Sequence, residues 1–112
     1  MLKRTLSALL IIAATGTAVS VSAKSFDTKL QQQCRYILGD KDNGRYDSEA
    51  HGYSLGVIAG IKDAMPASHR NTLYKKSLGY LSNSVCYRAL RDRSSDTFMH
   101  KYQRAALRLL GE

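Results

Sequence analysis

Few residues in this chain have the types and spacing needed for chemistry. The chain has two cysteines, Cys34 and Cys86, and three histidines, His51, His69 and His100. Asp40, Asp42, Asp47 and Glu49 crowd one short segment, interrupted by Lys41 and Arg45. A metal centre would need the histidines to converge with a carboxylate, and their wide spacing predicts no such site. A paired-carboxylate hydrolase needs rigid placement and one desolvated acid, which a polar segment containing Asn43-Gly44 does not offer. Gly-x-Ser-x-Gly, His-Glu-x-x-His, Cys-x-x-Cys and a phosphate-cradling glycine loop are all missing from the sequence. The expectation is a non-enzymatic protein that needs no metal and no cofactor.

Binding chemistry is better represented. Seven tyrosines accompany two phenylalanines and no tryptophan. Tyr36, Tyr74, Tyr80 and Tyr102 fit partly into helix cores, which leaves Tyr46 in the polar segment. Tyr87 stands beside Arg88 and Arg91, off the apolar stripe of its helix. Tyrosine and arginine are the side chains most often found at binding hot spots. Two candidate partner-binding groups follow: Asp40, Asp42, Asn43, Arg45 and Tyr46 in the loop, and Tyr87, Arg88 and Arg91 on a helix.

The first 23 residues bear on where such binding would take place. Lys3 and Arg4 precede a run of apolar and small residues, and Val21-Ser22-Ala23 has small side chains where a signal peptidase reads them. That pattern predicts a secretory signal peptide, with an apolar core too short to span a bilayer. The expected organisation is a leader over 1–23 and one domain over 24–112, periplasmic, with no membrane attachment after cleavage. Without Lys3 and Arg4, the 17 basic residues fall to 15 against 9 acidic ones. The resulting basic surface favours acidic partners, and location argues against nucleic acid. In an oxidising compartment, two cysteines in a small domain most simply form one disulfide, Cys34–Cys86. Closing a loop of about 50 residues is worth about 4 kcal/mol on chain-entropy grounds.

Four amphipathic helices must position these groups, which makes the expected fold a compact all-α bundle. Phe26, Leu30, Cys34, Ile37 and Leu38 form one stripe over 26–38, with Gly39 as the stop. Residues 39–47 read as an exposed loop, with Asn43-Gly44 as its turn because both residues tolerate positive φ. Ser48 is the expected cap of a second helix that Pro66 stops. Within it, Gly52, Gly56 and Gly60 share one face, and the expected reason is close packing against a neighbouring helix, or a homodimer contact. A third helix is expected over 71–91, its stripe running through Tyr74, Leu78, Leu81, Val85 and Ala89. A fourth is expected over 95–110, lined by Phe98, Tyr102, Ala105 and Leu109.

One combination of these features resembles a known family. Cys34-Arg-Tyr-Ile-Leu-Gly39, a polar segment, Gly52-Tyr-Ser-Leu-Gly-Val-Ile-Ala-Gly60-Ile-Lys-Asp-Ala64 and a later Cys86, behind a signal peptide, look like the Tai-type periplasmic immunity proteins. The resemblance is carried by residues 34–65. It implies a helical domain, often dimeric, that occludes the cleft of a peptidoglycan amidase delivered by type VI secretion. The part of this chain that best matches the family's inserting loop is 39–47. The alternatives are a periplasmic acid-stress chaperone, which is also helical with one disulfide, and a cell-envelope adaptor.

Overall fold

A computed structural model describes residues 16–111, with side chains from residue 24 onward. The described residues form four α-helices: α1 (Gly16–Ile37), α2 (Ser48–Ala64), α3 (Leu78–Leu90) and α4 (Phe98–Gly111). Two short 3-10 segments, Ala67–His69 and Thr72–Lys75, lead from α2 to α3. Among the described residues there is no strand, and each helix packs against the other three. The expected all-α architecture is the observed one. Most of the expected leader, residues 1–15, lies outside the described residues. Residues 16–23 continue α1, so that helix begins ahead of the expected start at Phe26. No described helix is long and apolar enough to cross a membrane.

The apolar stripes meet in one core. Leu30 and Cys34 of α1, Ile58 of α2, Leu81, Val85 and Cys86 of α3, and Tyr102, Ala106 and Leu110 of α4 are buried together. Cys34 and Cys86 form the disulfide, with Cα atoms 5.0 Å apart. Tyr102 is the largest fully buried side chain. Its hydroxyl donates to the Ser54 carbonyl at 3.2 Å and shares a hydrogen bond with Ser82 Oγ at 3.3 Å. A single ring thereby joins α4 to α2 and α3. Burial pushes the phenol pKa up from its usual value.

The helix ends differ from expectation for identifiable reasons. Asp47, not Ser48, caps α2: its carboxylate accepts from Ala50 N at 2.9 Å. The third helix starts at Leu78, later than residue 71, because polar side chains claim the backbone before it. Asn71 Oδ1 accepts from Leu73 N at 3.0 Å while its Nδ2 donates to the Leu109 carbonyl at 3.0 Å. Ser77 Oγ then accepts from Tyr80 N and opens the helix. At α4 the first amide groups are satisfied from across the fold. Asp27 of α1 accepts from Phe98 N at 2.8 Å and from Met99 N at 2.7 Å. A carboxylate at a helix N-terminus also interacts favourably with the helix dipole.

The glycine stripe of α2 is a correction. Gly52, Gly56 and Gly60 are exposed, and a Cβ built on any of them would meet nothing within 4 Å. They make no close packing with another helix in this chain. The buried row is Ala50, Ser54 and Ile58. It lies two residues away from the glycines, about 200° around the helix. The small side chains of Ala50 and Ser54 therefore make the close approach expected of the glycines.

Candidate functional site

Residues 38–47 leave α1 through a tight helix stop. Gly39 has φ +88°, the left-handed conformation that glycine adopts without penalty. Its N–H donates to the Tyr36 carbonyl at 3.0 Å, and Asp40 N–H donates to the Arg35 carbonyl at 2.9 Å. This pair of bonds is a Schellman stop.

The loop then folds back on the helix it has just left. Gly44 N–H donates to the Asp40 carbonyl at 2.9 Å, and Arg45 N–H donates to the Gln32 carbonyl at 3.0 Å. Gly44 is buried in the turn. A Cβ there would sit 2.5 Å from both the Asp40 carbonyl oxygen and the Tyr36 nitrogen. Glycine is required at this position for close approach, not for the positive φ that the Asn43-Gly44 pair suggested. The Asp40 carboxylate accepts from the backbone N–H groups of Asp42 and Asn43 and from Asn43 Nδ2. The Asn43 N–H is the largest of the influences that hold the Asp40 pKa below its usual value.

Gln33 is the anchor of this loop and was not foreseen. Its side chain is 1% exposed. Its Oε1 accepts from Asp47 N at 2.7 Å, and its Nε2 stands 3.4 Å from His51 Nδ1. Gln33 occupies the apolar stripe of α1, between Leu30 and Ile37, and a polar residue in such a row was the available sign of a buried hydrogen bond.

The loop displays an aromatic group. Tyr46 is 56% exposed and Tyr36 is 52% exposed, with ring centroids 5.7 Å apart in an edge-on arrangement. The His51 ring lies 5.8 Å from that of Tyr46, in a tilted arrangement. The expected core placement of Tyr36 is thus corrected: it stands beside Tyr46 on the surface. Tyr80, also expected partly in the core, is exposed as well. All five predicted loop residues, Asp40, Asp42, Asn43, Arg45 and Tyr46, belong to this built structure. Asp42 and Arg45 are exposed on it.

The second predicted group lies elsewhere. Tyr87, Arg88 and Arg91 line a cavity of about 700 Å³ together with Asp92, Ser94, Arg104, Ala105 and Arg108. Arg91 lies over the Tyr87 ring at 4.9 Å. Arg104 reaches Asp92 at 2.6 Å, Asp96 at 2.7 Å and Ser94 Oγ at 3.0 Å. The Arg104 guanidinium holds both carboxyl groups below the usual aspartate range, and they in turn raise its own pKa. Arg104 and Arg108 come from α4, so only tertiary packing could reveal their place in the groove. The disulfide fixes the two carriers together, since Cys34 is two residues from Tyr36 and Cys86 adjoins Tyr87.

Among the described residues, no three His, Cys, Asp or Glu side chains converge as metal ligands. No buried side-chain polar atom among them lacks a hydrogen-bond partner. Comparison with protein-family models, curated proteins and solved structures gives no match. The resemblance to Tai-type immunity proteins rests on its residue pattern alone.

Proposed function

We propose that this protein is a periplasmic immunity protein that binds a cell-wall-degrading effector, a peptidoglycan amidase, and occludes its cleft. The observation that carries this reading is the loop over 39–47. It is exposed, yet it is tied to α1 by backbone bonds and by buried Gln33, and it presents Tyr46 beside Tyr36. Ordering a free backbone costs about 1–2 kcal/mol per residue. A loop already held in one shape avoids much of that cost when it binds. A preorganised loop that displays an exposed aromatic side chain suits contact with an enzyme site. The residue pattern over 34–65 supplies the class of partner, and inhibition requires no chemistry from this chain.

The test is titration of this protein into a purified peptidoglycan amidase, with cell-wall hydrolysis as the readout. Stoichiometric inhibition is the expected result. Replacing Asp42, Arg45 and Tyr46 together with Ala should weaken binding by at least about tenfold, or 1.4 kcal/mol. Helix content should be unchanged, because these three side chains are on the surface. Undiminished binding by the triple variant would make the loop a plain connector.

A further inference from the structure

The tie between Gln33 and His51 does more than hold the loop. We propose that it is an acid-sensitive latch: a proton taken up at His51 Nδ1 frees the loop at Asp47. The inference rests on hydrogen-bond geometry and is independent of the inhibitor reading.

The argument turns on which groups can donate. The Asp47 N–H can only donate, and it reaches Gln33 Oε1 at 2.7 Å. That contact fixes the orientation of the Gln33 amide. Its Nε2, which also only donates, therefore faces His51 Nδ1 at 3.4 Å. His51 Nδ1 must then be the acceptor, so the neutral ring carries its hydrogen on Nε2. Protonation at Nδ1 sets two donors against each other. Turning the amide over gives no relief, because Nε2 would then meet the Asp47 N–H. Gln33 is 1% exposed, and a buried amide left without a partner is costly. The side chain must turn outward, and the Asp47 N–H loses its acceptor.

The consequence falls on Tyr46, whose two neighbours carry the ties to α1. The Arg45 N–H donates to the Gln32 carbonyl at 3.0 Å, and the Asp47 N–H donates to Gln33. Acid removes the second tie and leaves the exposed Tyr46 held from one side.

The charged and titratable groups around His51 come from α1, the loop and α2. From α1, Lys29 pairs with Glu49 of α2 at 4.0 Å. From the loop come exposed Arg45, the Tyr46 ring, and Asp47, whose carboxylate accepts from Ala50 N. Among the described residues, no hydrogen bond, ion pair or ring contact joins His51 to α3 or α4. Carboxylate, ammonium and guanidinium groups ordinarily keep their charge between about pH 5 and 8, the span in which a histidine changes its own. The turn at 40–43 survives that span, because the Asp40 carboxyl that organises it is held below its usual range.

Amide exchange on the full chain, followed by nuclear magnetic resonance, tests the latch. Protection of the Asp47 amide, expressed against the unfolded rate at each pH, should fall at least about tenfold between about pH 8 and about pH 5. Protection at Ala106, in the interior of α4, should not change. His51→Gln supplies a non-titrating acceptor for Gln33 Nε2 and should keep Asp47 protection level across the range. Gln33→Glu should reverse the sign. Its carboxylate accepts from both the Asp47 N–H and the imidazolium, so protection should rise in acid. If Gln33→Glu does not fold, His51→Gln alone decides. A wild-type Asp47 amide indifferent to pH would overturn the proposal. So would the same loss in His51→Gln, a parallel loss at Ala106, or a folded Gln33→Glu chain that loosens in acid.

Discussion

Two glycines should respond to the same substitution with opposite signs. Gly56 lies inside α2, is exposed, and has open space where a Cβ would go. Gly56→Ala adds no clash and removes the helix penalty of glycine, about 1 kcal/mol. For a domain of this size that gain corresponds to a rise in Tm of about 4–8 °C. Gly44→Ala places a methyl group 2.5 Å from two backbone atoms, the Asp40 oxygen and the Tyr36 nitrogen. Neither atom belongs to a flexible side chain, so the turn must open, at a cost of about 1–3 kcal/mol. Thermal unfolding followed by circular dichroism, with urea titration as a check, reads both changes. Equal effects at the two positions would refute the distinction between an open and a filled glycine. A Gly56→Ala chain that melts lower, and lower still on dilution, would place a second copy of the chain on the stripe.

The other expected outcomes concern stability. Replacing Cys34 and Cys86 together with Ser should cost about 4 kcal/mol, because the bridge closes a 52-residue separation; unchanged melting in reducing buffer would contradict this. Asp27→Ala should cost about 1–2 kcal/mol, since it removes the acceptor of two amides at the start of α4; hydrogen exchange should show that helix fraying first. The carboxyls of Asp40, Asp92 and Asp96 have folded pKa values below the ordinary aspartate value of 3.8. Their stabilising contribution is present above that value and lost as the pH falls through the folded values, so melting temperature should drop in acid. The same scan on Asp92→Asn with Asp96→Asn should show a shallower drop.

The bundle was legible because its core follows helical spacing. Leu30 and Cys34, Leu81, Val85 and Ala89, and Phe98, Tyr102, Ala105 and Leu109 all face inward as their periodicity predicts. The disulfide was legible from two cysteines and an expected oxidising compartment. The misreadings share one cause: local pattern does not reveal which neighbour supplies a contact. Small residues occur on two faces of α2, and only packing shows that Ala50 and Ser54 are the buried ones. Asn71 interrupts the third helix because it bonds to Leu109, 38 residues away. The loop was found from its turn residues, but its rigidity depends on Gln33 and on the space denied at Gly44. The groove was half visible, through Tyr87, Arg88 and Arg91, and is completed by arginines from another helix.

The central claim is that the preorganised loop over 39–47 enters the cleft of a peptidoglycan amidase. Hydrogen exchange of this protein, alone and in a stoichiometric mixture with the purified enzyme, tests it most directly. The account predicts that amides of residues 41–43, which make no backbone bond back to α1, gain at least about tenfold protection in the complex. Amides in the interior of α4 should be unchanged. A complex that forms while those loop amides exchange as fast as before would contradict the account.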